Sequence, residues 1–461
     1  MPTLKINVNN FSKGVSTSDF LPDRGYSPAD KGQNLYVKKG LLYPQPLETA
    51  RGALSDDGCA CIGINQDLGA DVYGLVADNG DGYYYSFDAS GVPTLKSTDT
   101  GRTYSSYASD LVFYKGSFHI TSKTNITLIA SDFTTPDYDW WTAVAGGSSL
   151  NTYLPHQMIV FDDVMYIADD NDLKSWDGSN KNNSALYLQS DYKITAIVVY
   201  QNKIYITAEK LYNASGKQAV TSKLFIWDGT SPSYEAQFDI PEKIFSMVDY
   251  NGTLLLFGVY TLFAWNGIGI TPIFDLPTPN QPVYKQKIVK YKDRLYFANG
   301  DYIICYDKNI FSYVFDTSNS GGNLTGDNIE SIFIEGDDNL IFTAGKNAYS
   351  LQLDSGAGAG HWLSNRYEFP ENIRIKEMIV ELGEDMVSGS DMEFTIINER
   401  GDEVDLGDMT YADGSRRVKQ LKSLNIIALS LQVRVNFKTN AKPIRAITIF
   451  YEGVGNPVRK V

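Results

Sequence analysis

The sequence predicts an all-β protein: a β-propeller of seven blades, with six as the alternative count, followed by a C-terminal antiparallel β-sandwich or jelly-roll. Three observations carry that prediction. The composition couples strand formers, 31 Tyr and 22 Phe, with 39 Gly that punctuate turns. One phrase, an apolar strand, a polar turn and a second apolar strand, recurs seven times at a period in the range of roughly 40–50 residues. Past Leu351 the phrase stops, and apolar residues alternate with charged ones.

Four copies of the phrase are plain: IVFDDVMYIAD from Ile159, VVYQNKIYITA from Val198, MVDYNGTLLLF from Met247 and IVKYKDRLYFA from Ile288. Looser copies start at Ala70, Leu111 and Ser331. Aligned on the second strand, the equivalent residues are Tyr73, His119, Tyr166, Tyr205, Leu255, Tyr296 and Ile341, with gaps of 46, 47, 39, 50, 41 and 45 residues. A further strand is expected ten residues after this anchor, at Ile129, Trp176, Trp265, Tyr306 and Leu351. W-D-G at Trp176 and Trp227 and W-N-G at Trp265 predict tight two-residue hairpins, because Asp-Gly and Asn-Gly supply the positive φ those turns require. A four-stranded blade has two apolar faces and buries neither alone, so its copies must stack around an axis. The run Thr253 to Trp265 is 13 residues with an internal glycine, too short to span a membrane, and reads as two buried strands.

The blades are assigned to residues 45–356. SGAGAGH, with Gly356, Gly358 and Gly360, has no helix-forming segment after it and no Lys-Ser/Thr, which excludes a phosphate loop and leaves a linker at 357–364. IRIKEMIVEL, MEFTIINER, LSLQVRVNF and IRAITIFYE then alternate with one wet face, predicting a separate sandwich over 365–461. Residues 1–44 are assigned as an extended docking segment.

Charge and chemistry narrow the function. With 40 Lys and Arg against 55 Asp and Glu the formal charge is −15, which opposes a nucleic-acid grip. Three cysteines, Cys59, Cys61 and Cys305, do not make a disulfide framework, and the N-terminus has no signal-peptide core, so a reducing compartment is expected. The three histidines, His119, His156 and His361, lack metal-ligand spacing, and no G-x-S-x-G elbow is present. His119 replaces the repeat's Tyr and reads as core. Asp169, Asp170 and Asp172, Asp337 and Asp338, and Asp78 and Asp81 lie in turn sequences where carboxylates bond the backbone. Calcium is left unassigned, since no twelve-residue loop ends in Glu. STDTGRTY, Ser97 to Tyr104, matches a sialidase-like box once and reads as a structural turn. Trp140 and Trp141 are suited to sugar stacking but read better as a buried pair. No catalytic residue, metal or cofactor is assigned.

The first 46 residues carry a different signal. NNFSKGVSTSD, a Pro-containing stretch and GQNLYVKKGLLYPQP resemble the opening of propeller proteins in bacteriophage tails and head-to-tail adaptors, including nozzle and hub proteins. The matching positions are Asn10, Phe11, Gly14, Asn34, Gly40, Leu42, Pro44 and Pro46, whereas Lys13, Gln45 and Leu47 depart from the pattern. The resemblance implies a non-enzymatic virion protein, made in the host cytoplasm. It implies a homo-oligomeric ring, commonly a hexamer, around the channel used in DNA ejection, with neighbouring tail or adaptor proteins as partners and DNA passing without tight binding. The alternatives from other classes are a host-receptor or carbohydrate-binding propeller of the tail tip and a cellular scaffold that binds peptides on one face.

Overall fold

The computed structural model describes residues 4–8, 15–16, 27–28, 32–33, 35–38, 41–44, 46–54, 59–64, 72–78, 81–88, 92–99, 110–122, 124–130, 136–143, 149–151, 155–210, 222–279, 281–307, 310–317, 324, 327–335, 339–356, 360–364, 367–389, 391–411, 418–438 and 440–454. Among them helix is short: Trp140–Ala143, the 3-10 turn Lys285–Lys287 and single 3-10 residues at Thr317 and Tyr411. No helix of the described residues is long and apolar enough to cross a membrane.

The described residues form seven four-stranded sheets, the blades of a β-propeller. Blade 1 is Cys59–Ile64, Val72–Asp78, Asp81–Phe87 and Pro93–Asp99. Blades 2 to 6 start with Leu111–Tyr114, Met158–Phe161, Tyr192–Tyr200, Ser246–Tyr250 and Ile288–Tyr291. Blade 7 is Ile329–Glu335, Asn339–Ala344 and Asn347–Gly356, completed by Pro46–Ala53 from before blade 1. First strands of neighbouring blades lie side by side in six of the seven pairs, that of blade 7 against that of blade 1 included, so they line the inner wall of the ring. The strand borrowed from the N-terminal side gives blade 7 the edge partner it would otherwise lack.

All seven anchors fall on second strands, as the period predicts. The hairpin prediction needs correction. The tight two-residue turn sits between first and second strands, at Lys115-Gly116, Asp162-Asp163, Gln201-Asn202, Asn251-Gly252 and Lys292-Asp293, and all ten residues have positive φ. The registers close directly on these pairs, for example Phe161↔Val164 and Tyr200↔Lys203. Paired positive φ is the I′ geometry whose twist suits adjoining strands. W-D-G and W-N-G instead open longer connections. There the Asp177, Asp228 and Asn266 side chains each accept two backbone N–H groups at 2.7–2.9 Å, and Gly178, Gly229 and Gly267 take positive φ. The Asn180 N–H holds the Asp177 carboxyl down at about 2, and the Ser231 hydroxyl, followed by the Ser231 and Thr230 N–H groups, does the same for Asp228. The sequence signal is correct for positive φ, but a side-chain acceptor at the first loop position stabilises a wider turn.

The tyrosine ending a first strand fastens its blade to the next. Tyr200 Oη donates to Gly252 O and Tyr250 Oη to Asp293 O, both at 2.6 Å, and Tyr114 Oη donates to Asp163 O. Each acceptor is the second residue of the next blade's I′ turn. Phe161 breaks the series, and Tyr166 Oη compensates by donating to Gly229 O at 3.0 Å. Tyr250→Phe is expected to lower stability by about 1 kcal/mol, the net worth of a partly buried hydrogen bond, and a urea-unfolding midpoint unchanged from wild type would count against the fastening role.

Chain contacts divide the molecule into two compact units, residues 49–300 with 327–350, and residues 1–48 with 301–326 and 351–461. The second unit contains a ten-stranded sheet built on Tyr367–Leu382, Asp391–Asn398, Glu403–Thr410, Val418–Phe437 and Ile444–Gly453. Two domain expectations are corrected here. Residues 1–44 are not a separate docking segment: Leu4–Val8 pairs with Ile444–Gly453, and Leu35–Lys38 pairs with Leu41–Pro44, whose Leu42 faces Ile444. The 357–364 linker contains a strand, Gly360–Leu363, paired with Arg434 to Phe437. The long last strand supplies the reason for the first change, since its outer edge would otherwise be open.

The core of this sheet joins Ile373, Ile375, Met378 and Val380 to Met392, Phe394, Val433 and Phe437. Along Tyr367–Leu382 the buried positions are odd at Ile373 and Ile375 and even at Met378 and Val380. A register shift between Ile375 and Glu377 restores the inward face after the pattern changes parity.

Candidate functional site

Asn10, Phe11, Gly14, Asn34 and Gly40 lie outside the described residues. Leu42 and Pro44 lie on Leu41–Pro44, and Pro46 opens the strand that completes blade 7. The structure therefore places the described part of this motif on strands of two different sheets.

The most developed polar constellation is at one end of the propeller's inner wall. Asp110 immediately precedes the first strand of blade 2, Gln157 that of blade 3, Phe245 that of blade 5, and Lys285 opens the 3-10 turn leading into blade 6. Asp110 Oδ1 accepts Leu111 N–H at 2.8 Å, and Oδ2 accepts Met158 N–H at 2.8 Å and Lys285 Nζ at 2.6 Å. Lys285 Nζ also donates to Met158 O at 2.9 Å. Gln157 Nε2 donates to Phe245 O at 3.0 Å, while its Oε1 accepts Ile197 N–H at 3.1 Å.

Blades 2 and 6, like blades 3 and 5, are not neighbours in a ring of seven. Bonds between the segments that lead into their first strands therefore reach past intervening blades at one end of the ring, where the 3-10 turn also packs against the first strands of blades 7 and 1. The asymmetry of burial suits such a reach, with the Asp110 side chain 11% exposed and that of Lys285 40%. Chemically the cluster is self-satisfied, with both Asp110 carboxylate oxygens bonded and the ammonium shared between two oxygens, so it has the composition of a strut. Sequence reasoning missed Asp110, Gln157 and Lys285. The available signal was a polar residue just before each first strand, but 175 residues separate Asp110 from Lys285 and only ring closure unites them.

Beside this strut, His156 is fully buried with Nδ1 2.9 Å from Ala168 O and Nε2 2.9 Å from Asn151 O. Asp169 accepts Asn151 N–H at 2.6 Å and pairs with Lys174 at 3.0 Å, and Asp170 pairs with Lys193 of the following blade. Asp172 accepts Ser184 Oγ at 2.8 Å, and burial raises its carboxyl above the ordinary range. The acidic run thus binds backbone and neighbouring cations. Asp337 and Asp338 lie outside the described residues, whereas Asp78 and Asp81 end paired strands. Among the described residues no group of three or more His, Cys, Asp or Glu is placed to hold a metal ion.

His119 is core, as its repeat position predicts. It is 1% exposed, neither ring nitrogen has a hydrogen-bond partner among the described residues, and the Trp140 and Trp176 rings are 4.8 and 5.5 Å away. Burial drives its pKa down to about 4, with the Ser117 backbone opposing weakly. Trp140 and Trp141 are a buried pair, which removes them as a sugar platform. Cys305 is buried on the strand Tyr302–Asp307. Cys59 and Cys61 share the strand Cys59–Ile64, and His361 lies on Gly360–Leu363. In the STDTGRTY segment, Ser97 to Asp99 end a blade 1 strand and the remainder lies outside the described residues.

No family model matches the chain, and no curated protein matches it. Similar solved structures include the N-terminal domain of Nup159, 10% identical, covering 70% of this chain and 97% of that one with a TM-score of 0.44. The extracellular domain of a putative hybrid two component system from B. thetaiotaomicron is 9% identical, covering 86% of this chain and 60% of that one with a TM-score of 0.49. An exo-beta-1,3-galactanase from Phanerochaete chrysosporium is 12% identical, covering 87% of this chain and 100% of that one with a TM-score of 0.33. At these identities and scores the likenesses carry no argument about what the chain does, and its assignment as a β-propeller rests on its own sheet order.

Proposed function

We propose that the protein is a non-enzymatic structural component of a bacteriophage tail or neck that assembles as a ring around the DNA channel. The observation that carries the reading is the strut from Lys285 to Asp110, because a propeller whose polar axis is spent on internal bonds is a rigid building block. In this reading the conduit forms between copies of the chain, with the bonded end of each propeller as a fixed part of its wall. The charge of −15 supports this role, since an acidic wall repels phosphates over a Debye length of ~8 Å at physiological salt. The N-terminal motif supplies the remaining support.

The test is mass photometry and negative-stain imaging of the purified chain, with DNA retention measured across a salt series. A closed ring, weak DNA binding at every salt concentration and no turnover of glycans are expected. A strictly monomeric particle that cleaves a polysaccharide would overturn the reading, and selective binding on a glycan array would favour the receptor-binding alternative.

A further inference from the structure

Asn-Gly occurs in the chain at Asn79, Asn251, Asn266 and Asn299. In this pair the side-chain amide is open to attack by the following backbone nitrogen, because glycine has no side chain to block the approach. Asn79 lies outside the described residues. The structure treats the other three differently. Asn299 is fully buried, its Oδ1 accepting Thr278 N–H at 2.8 Å and its Nδ2 donating to Thr278 O at 3.1 Å and Gln281 O at 2.6 Å. Asn266 is exposed, but its Oδ1 accepts the Ile268 and Gly269 N–H groups at 2.9 and 2.8 Å, which commits the amide to its own turn. Asn251 is exposed, and among the described residues its side chain is bonded to no other group.

Asn251 and Gly252 form the I′ turn of blade 5, both with positive φ. A Cβ added to Gly252 would meet nothing within 4 Å, so no neighbouring group covers this glycine. Its N–H, the attacking group, donates to Asp249 Oδ1 at 3.2 Å, a separation at which a carboxylate can take the proton. Its carbonyl accepts Tyr200 Oη of blade 4 at 2.6 Å. Attack requires the turn to swing Gly252 N alongside the Asn251 side chain, and the Tyr200 bond opposes that movement.

We propose that Asn251 is a site of spontaneous deamidation, gated by the fastening between blades 4 and 5. Asp249 takes the Gly252 N–H proton as a bond forms between Gly252 N and Asn251 Cγ. The bond from Cγ to Nδ2 breaks, the proton passes to the leaving nitrogen, and ammonia departs. Water then opens the five-membered ring at either carbonyl, leaving aspartate or β-linked isoaspartate. The β-linked product adds a backbone atom to a turn whose two residues match the strand twist, which withdraws Gly252 O from Tyr200 Oη. The bond restrains the chemistry, and the chemistry removes the bond.

The test is incubation of the full-length chain in mildly alkaline water enriched in heavy oxygen, followed by peptide mapping with fragmentation that places each new labelled carboxyl. Asn251 is expected to convert about tenfold or more faster than Asn266 and Asn299, since an exposed, unbonded turn opens more readily than a bonded or buried one. Tyr200→Phe is expected to speed conversion at Asn251 about fivefold, the effect of losing one partly buried hydrogen bond. Asp249→Asn keeps an acceptor and removes the base, and is expected to slow it about tenfold. Conversion at Asn251 no faster than at Asn266 would overturn the site. An unchanged rate in Tyr200→Phe would overturn the gating, and an unchanged rate in Asp249→Asn the role of that carboxylate. Unaltered conversion of the buried Asn299 shows that a variant is folded, and the wild-type comparison decides the site without either variant.

Discussion

Replacing Asp110 by alanine is expected to destabilise the propeller by about 2–6 kcal/mol, at a cost of roughly 1–3 kcal/mol for each of two buried N–H groups left without an acceptor. The groups are those of Leu111 and Met158, which begin the inner strands of neighbouring blades. The lost attraction to Lys285 adds little, because that side chain is 40% exposed and solvent screens it. Lys285→Met should therefore cost less than ~1 kcal/mol, although it removes the same ion pair. Asp110→Asn keeps one acceptor oxygen and should fall between the two. Urea-unfolding midpoints of the three variants give the ordering directly. If Lys285→Met proved as damaging as Asp110→Ala, the ion pair and not the backbone N–H groups would hold the blades, reversing the account of the strut.

The second large effect is a dependence of stability on pH through His119. Its folded pKa is about 4 against an ordinary 6.5, the result of burial among Trp140, Trp176 and Tyr114 with no partner for either ring nitrogen among the described residues. Between these values the unfolded chain binds a proton that the folded chain refuses, so stability rises with pH through this window. The stabilisation is complete above about pH 6.5 and is lost as pH falls toward 4; the loss is about 2 kcal/mol at pH 5 and approaches ~3 kcal/mol below pH 4. His119→Phe keeps an aromatic ring beside the two tryptophans and removes the proton. Carboxylates also titrate in this range, so the informative quantity is the difference between wild type and His119→Phe in the change of urea midpoint from pH 7.5 to pH 5. A variant that loses as much stability as wild type over that interval would place the acid sensitivity elsewhere.

Much of the propeller is legible in the chain because each blade is local. Tyr166, Tyr205 and Tyr296 mark second strands through a period that needs no tertiary information, and Trp176, Trp227 and Trp265 mark the ends of third strands. The W-D-G turns show the limit of local reading: the positive φ was predictable, but the span of the loop was set by where the Asp177 and Asp228 carboxylates find N–H groups. His119 was legible as core from its repeat position, while its missing partners were not, since Trp140 and Trp176 reach it from different segments. The N-terminal strands were misassigned for a similar reason: Leu4–Val8 carries no mark in its own residues of a partner more than 400 residues away at Ile447 to Tyr451.

Alternation and turn chemistry by themselves determined that this chain folds as repeated β-hairpins, since both act between residues a few positions apart. Only the tertiary structure decided that Pro46–Ala53 completes blade 7, that Asp110 meets Lys285, and that Leu4–Val8 pairs with Ile444–Gly453. Each of these depends on which distant strand takes a given set of backbone donors and acceptors. Backbone groups are the same in every residue but proline, so that choice is made by closure of the ring and packing of the core, not by any local motif.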